Sequence, residues 1–281
     1  MNKKVTIVVD STCDIDIRVA KEVGIRYMPV LIDINGQQYK DGYEITCKEF
    51  YEKLANKNTQ VKTSLVTPIE FEEIFKEELA TGMEVICLTI SSSLSGTYNS
   101  AILAKNMVDS DKIHIIDSKT VSLGFELLAL EAAKLANQGL SAKEIVEKIE
   151  SLQEKQSLLV YVETLDMLKR GGRIPKSLAT VGEVLRIKPI LAMEEGILNT
   201  VTKTRGKKAG FKFLLETLNK MDINKDYPFI VAHADNVDGA NEIIKEMKDN
   251  LNDVEVIVSE IGPAVGTHVG QGAVAISFIE K

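Results

Sequence analysis

Val85-Ile-Cys-Leu-Thr-Ile90 runs directly into Ser91-Ser-Ser-Leu-Ser-Gly-Thr-Tyr-Asn-Ser100. An unbroken apolar and β-branched run is the mark of a strand buried on both faces. After Gly96 the pattern changes, and Ala101, Leu103 and Ala104 follow at helical spacing. A buried strand that turns tightly into a helix is the unit of an open α/β sheet, where ligands bind beyond the carboxyl ends of the strands. The turn holds five serines and a threonine around Gly96, more hydroxyls than a helix cap needs. With the free amides and partial positive charge of a helix start, Ser91–Ser100 reads as an anion-binding turn. The Gly-Lys-Ser/Thr ending of a Walker loop is absent.

The surrounding sequence repeats this alternation. Val5–Asp10 reads as a buried strand followed by a turn and a helix near Ile15–Val23, and Ile25–Ile34 as an extended segment ending at the Asn35-Gly36 turn. Thr46 with Glu49, Thr67 with Glu70, and Ser141 with Glu144 have capping-box spacing, and Pro68 suits a first helical turn. Glu84–Ile90 and Lys112–Asp117 are predicted strands, and Ser122–Asn137 a helix. This half, residues 1–155, predicts a mainly parallel sheet flanked by helices.

The remainder, residues 156–281, predicts an α+β domain with a mixed or antiparallel sheet. Ser157–Val162 is a predicted strand, followed by a short helix ending at Gly171-Gly172. Ile187–Met193 and Ile197–Lys203 flank Glu194-Glu195-Gly196 as a hairpin. Lys207–Met221 and Gly239–Leu251 read as helices, and Phe229–Ala234, Val254–Glu260 and Ala273–Ile279 as strands. The boundary is expected near residue 155, with no low-complexity linker, so the domains are expected to pack closely.

Other segments could carry chemistry. Asp10-Ser11-Thr12-Cys13-Asp14 follows the first strand, but lacks the Asp-x-Asp of aspartyl phosphatases; Asp14 is expected to cap the following helix. Gly262-Pro-Ala-Val-Gly-Thr-His-Val-Gly-Gln-Gly272 places four glycines around His268 and is expected to be a tightly turning loop between two strands. Thr63-Ser64 could add hydroxyls. Of two basic clusters, Lys169–Arg173 suits a helix end, whereas Lys203–Lys208 opens a helix, where cations are disfavoured.

Composition limits the rest. With 44% apolar and 27% charged residues the chain has an ordinary globular balance, and no apolar run is long enough to cross a bilayer. No signal peptide is evident, so a cytoplasmic location is expected. Cys13, Cys47 and Cys87 are far apart and read as reduced thiols, and the three histidines form no metal motif. A net charge of −7 argues against nonspecific nucleic-acid binding.

Taken together, these segments resemble the DegV family of bacterial fatty-acid-binding proteins nearly end to end. The resemblance rests on Asp10–Asp14, Thr63-Ser64 with Pro68, Ile90–Ala101, Asp117-Ser118 with Ser122 and Gly124, Leu165–Ile174, Lys188–Leu191, Lys203–Ala209 and Gly262–Ala273. Gln271 departs from it, standing where proline is frequent. The resemblance implies a two-domain α/β protein that binds a long-chain fatty acid and needs no cofactor. It implies that Thr63, Ser64, Ser95, Gly96 and His268 meet the carboxylate. It further implies a carrier without catalytic residues of its own, the acyl-binding subunit of a fatty acid kinase. Such a subunit presents the carboxylate to an ATP-dependent partner protein, which makes acyl phosphate for phospholipid synthesis. Arg173 and Arg205 are then candidates for partner docking or for steadying the phosphate, and transient membrane-surface contact remains open. Two other readings stand beside this one: a serine hydrolase using Ser95 and His268, and a lipid-sensing regulator.

Overall fold

The protein, described by a computed structural model over residues 4–56, 58–175, 187–251 and 254–281, is a mixed α/β molecule built on three sheets. The buried runs pair as their patterns require. Strands β1 (Val5–Asp10), β2 (Ile25–Met28), β6 (Glu84–Thr89) and β7 (Ile113–Asp117) form a wholly parallel sheet in the order β2-β1-β6-β7. Its carboxyl edge therefore gathers Asp10, the Ser91–Gly96 turn and Asp117.

Ile25–Ile34 is not one extended segment. The chain leaves the parallel sheet at Pro29-Val30, and β3 (Leu31–Ile34) starts a small antiparallel sheet with β4 (Gln37–Lys40) and β5 (Val61–Ser64). Proline has no amide for a ladder, and the Val30 amide is taken by Ser11 Oγ at 3.0 Å.

All three predicted capping boxes are formed, starting α2 (Cys47–Leu54), α3 (Pro68–Ala80) and α6 (Ala142–Gln153). The cap of α1 (Ile17–Val23) is Asp16 rather than Asp14. Helix α4 (Thr97–Val108) follows the serine turn, with Gly96 at its N-cap. Helix α5 (Leu123–Asn137) is buried around most of its circumference because it lies between sheets, touching β1 on one side and, on the other, β8 (Gln156–Tyr161), β11 (Phe229–His233) and β13 (Val274–Ile279).

The six-stranded sheet has the order β10-β9-β8-β13-β11-β12 and is antiparallel except for β11 beside β12 (Val256–Glu260). Its strands all lie after residue 155, whereas those of the other two sheets end by residue 117. The expected hairpin is β9 (Ile187–Glu194) with β10 (Ile197–Arg205). Its turn residues Glu195 and Gly196 both have positive φ (50° and 81°), the geometry that matches strand twist. Short helix α7 (Asp166–Arg170) follows β8; α8 (Lys207–Leu218) and α9 (Val237–Asn250) cover the outer face of the sheet, where Phe211 of α8 packs into one core with Tyr161 and Phe229 of the strands. The larger core runs from β1 through α5 to β8 and β13, so it is continuous across both large sheets.

Residues 262–272 overturn the loop expectation, for Pro263–Val269 forms helix α10. Pro263 presets the first turn, and Gly270, at φ 77°, ends the helix. The interior Gly266 lowers helix propensity but is required by packing: a Cβ there would lie 2.6 Å from Tyr51 Oη. Tertiary contact thus selects helix where local composition favours a loop.

Candidate functional site

A cavity opens between the parallel sheet, the small sheet and the six-stranded sheet, with about 890 Å³ of empty space, its mouth included. The walls are overwhelmingly aliphatic. Ile90, Leu94, Val121 and Leu123 come from the carboxyl edge of the parallel sheet; Leu158, Val160, Leu191, Leu198 and Ala275 from the six-stranded sheet; and Ala264, Val265 and Val269 from α10. Two hydroxyl residues, Thr12 and Ser122, also line it, but their hydroxyls donate to the carboxyls of the buried Asp10 and the half-buried Asp14. They therefore offer an apolar tunnel no free donor.

Polar groups gather at one end. Strand β5 brings Thr63 and Ser64, the serine turn brings Ser95, and the last turn of α10 brings His268. Thr63 Oγ1 and His268 Nε2 are 3.1 Å apart. Burial, with a smaller contribution from the charge of Arg173, lowers His268 to about 4, so the imidazole is neutral at pH 7. Its Nδ1 is buried without a hydrogen-bond partner among the described residues. An orphaned amide-like donor is rarer in folded proteins than an under-satisfied acceptor, which assigns the proton to Nε2. Nε2–H then donates to Thr63 Oγ1 and leaves the threonine proton free for an anion in the cavity.

The imidazole is held from behind by Gly171, where a Cβ would lie 2.1 Å from Nδ1. Sequence reading takes Gly171 as a helix end and misses this role. Its φ of −77° suits any residue, so only the close approach explains the glycine. Ser122 and the hairpin leucines Leu191 and Leu198 are also absent from the expected site, since an aliphatic wall has no local signature.

The serine turn is more heavily occupied than its composition suggests. Ser91 Oγ donates to the carbonyl of Gly196 at 2.7 Å, tying the turn to the β9–β10 hairpin. Ser95 Oγ lies 2.9 Å from Thr97 Oγ1 and accepts from the Thr97 amide at 3.3 Å. Ser92 and Ser93 are exposed. Gly96 does not line the cavity; it makes room for Leu65, whose Cδ2 would be 3.0 Å from a Cβ.

Arg173 reaches the mouth, its Nε donating to the Leu94 carbonyl at 3.2 Å and its Nη1 to that of Gly171. Arg205, at the end of β10, lines neither this cavity nor its neighbour, so the structure separates the two predicted arginines. That neighbour is an open polar chamber sharing Thr63, Arg173 and His268 with the apolar cavity. Lys62 and Arg170 add positive charge to it, and among the described residues no Asp or Glu is in its lining. A hydrolase would need Ser95 bonded to His268 and a carboxylate behind the imidazole. Ser95 instead meets Thr97, and Nδ1 has no hydrogen-bond partner among the described residues. Among the described residues no three His, Cys, Asp or Glu side chains are arranged to hold a metal ion, and no helix is long and apolar enough to cross a membrane.

Comparison with known proteins places these features in a family. A family model described as "Uncharacterised protein, DegV family" matches residues 4–281. A DegV domain-containing protein of Caldanaerobacter subterraneus is 36% identical over 281 residues, covering 99% of this chain and 100% of its own length. The solved structure of a DegV family protein from Thermus thermophilus, described as fatty-acid-binding, superposes with a TM-score of 0.90 at 28% identity over 99% of this chain and 100% of the other. The fatty acid kinase B3 protein of Streptococcus pneumoniae, solved loaded with linoleic acid, superposes with a TM-score of 0.85 over 99% and 100%. At 24% identity that last likeness is one of fold.

Proposed function

The chain belongs to the DegV family, and on that premise we propose that it binds one long-chain fatty acid in the aliphatic cavity, with the carboxylate at Thr63, Ser64, Ser95 and His268. The observation that carries this reading is the Thr63–His268 pair at the junction of an apolar cavity and a cationic chamber. An amphipathic anion matches both sides of that junction. Burying about fifteen methylenes at ~0.8 kcal/mol each is worth roughly 12 kcal/mol before association costs. The carboxylate is the costly end, because a buried charge without partners is heavily penalised. Hydroxyl donors offset that cost without a full opposite charge, and Arg173 at the mouth adds a screened attraction.

Neutral donors also leave the carboxylate oxygens reachable from the open chamber. We infer that the chain is a carrier that presents the carboxylate there to an ATP-dependent kinase protein, with Arg173 docking that partner or steadying the phosphate; the carrier itself needs no cofactor. Arg205 can serve only a more distant part of such an interface.

Native mass spectrometry tests the binding: protein purified from bacteria should carry about one equivalent of long-chain fatty acid. Empty protein that also fails to take up added oleate removes the reading. Thr63→Ala with Ser95→Ala should weaken retention far more than Arg173→Ala, and equal losses would mean that the carboxylate lies elsewhere. Acyl phosphate formed only when ATP and a cognate kinase are added separates a carrier from a sensor.

A further inference from the structure

Asp14 belongs to the one motif that the binding site leaves unexplained. It is half-buried and held at φ 56°, a conformation that aspartate tolerates better than most residues. Its carboxyl makes no cap for α1. It accepts instead from two remote groups, the Gly262 amide at 3.0 Å through Oδ1 and the Ser122 hydroxyl through Oδ2. Gly262 is the N-cap of α10, the helix that carries His268, and Ser122 is the N-cap of α5 and part of the cavity wall. A Cβ at position 262 would lie 2.7 Å from Asp14 Oδ1, so glycine is needed for this approach.

Helix α10 has seven residues and cannot fix its own place. Its start is held by Asp14 and by Tyr51, whose hydroxyl donates to the Ile261 carbonyl at 2.8 Å. We propose that Asp14 is a positioning residue for the carboxylate clamp: by joining Gly262 to Ser122 it seats α10 so that His268 meets Thr63. The proposal rests on the fatty-acid reading of that clamp.

The choice of aspartate is otherwise unfavourable. The groups facing Asp14 are Ser122, the Gly262 amide, Asp41 and Glu126, with Cys13, Tyr27, Cys47 and Tyr51 also within electrostatic reach. None is basic, and burial pushes the carboxyl well above its ordinary range. What the side chain uniquely supplies is two acceptors on a short stem. Asparagine retains one acceptor, and the Ser122 hydroxyl can turn to accept from its amide, so Asp14→Asn preserves the bridge while Asp14→Ala abolishes it.

Delipidated wild type, Asp14→Ala, Asp14→Asn, His268→Ala and the Asp14→Ala/His268→Ala double variant would be compared in two measurements. For oleate, Asp14→Ala should weaken binding about tenfold, the scale of one misplaced hydrogen-bonding group. Asp14→Asn should stay near wild type, and Asp14→Ala should add no further loss in the His268→Ala background. In the ligand-free protein, the His268 titration followed by NMR should rise from about 4 towards the ordinary imidazole value in Asp14→Ala alone. Asp14, pushed well above the ordinary carboxylate range, is uncharged where His268 titrates, so its removal takes no charge from the ring and a rise reports movement of the imidazole.

Gly262→Ala displaces the carboxyl without deleting it and should reproduce both signatures even if Asp14→Ala does not fold. Losses that add independently, or a titration unchanged in both variants, would overturn the positioning role. Wild type that never binds oleate, with the titration still moving as described, would remove the fatty-acid reading and leave the seating of α10 standing.

Discussion

Gly171 and Gly172 stand side by side and should respond to alanine in opposite ways. At Gly171 the added Cβ would lie 2.1 Å from His268 Nδ1 and 2.9 Å from Cε1. The imidazole must withdraw by about 1.3 Å to regain ordinary contact, and forced overpacking of this kind costs roughly 1–3 kcal/mol. Thr63 is fixed in β5, so the 3.1 Å bond to Nε2 cannot follow the ring. Losing the group that orients the Thr63 proton should weaken oleate binding by about 10- to 100-fold, or ~1.4–2.8 kcal/mol. The backbone at Gly171 has φ −77°, so alanine is unstrained there and gains about 0.4–1 kcal/mol through the unfolded chain. Thermal stability should therefore change less than affinity. At Gly172, φ is 70° and no described residue lies within 4 Å of the added Cβ. Alanine there should cost about 1–2 kcal/mol of stability from backbone strain and leave the affinity alone. Calorimetric oleate titration and thermal melts of the two delipidated variants decide the matter. Wild-type affinity in Gly171→Ala, or equal affinity losses in the two, would refute the clamp geometry.

Three further outcomes follow from other contacts. Asp41, raised by burial to about 7 from an unfolded value near 3.8, favours the protonated fold, so its contribution to stability is present at low pH and is lost as pH rises through 7. Asp41→Asn should match wild type near pH 4 and gain on it by up to about 1.4 kcal/mol per pH unit between there and pH 7, as urea denaturation at several pH values would read. Ser91→Ala strands the Gly196 carbonyl, should cost about 1–3 kcal/mol, and should speed oleate release because the loosened hairpin carries Leu191 and Leu198; stopped-flow exchange into a fluorescent acceptor measures this. Bound carboxylate should raise the His268 titration above about 4, since an adjacent negative charge favours imidazolium; an unchanged value in the loaded protein would place the anion away from the ring.

Much of the scaffold is legible because its signals are local. The three capping boxes, the buried strand Val5–Asp10 and the Glu195-Gly196 turn each sit within a few residues, and each forms as its spacing predicts. Pro29 should have marked the break between β2 and β3, since a strand interior cannot use a residue without an amide. The site is less legible. Thr63 and His268 are 205 positions apart, and no periodicity joins them; only a resemblance to a known family brought them together. Hydroxyl-rich composition also misleads, for Ser91 serves a hairpin, and Thr12 and Ser122 point their protons at carboxyls.

The misread segment around His268 shows why these failures are connected. Locally, four glycines in eleven residues argue for a loop. In the fold each constrained glycine answers a neighbour: Gly262 admits Asp14, Gly266 admits Tyr51, and Gly270 admits Met167. Those neighbours lie far away in sequence, so the place of the helix and its histidine depends on the Asp14 turn, α2 and α7 packed around them. A clamp formed by the last helix closing on strand β5 is thus completed late in the chain but specified from its first fifteen residues. This is the reason for expecting Asp14, which does not itself line the cavity, to govern affinity through His268.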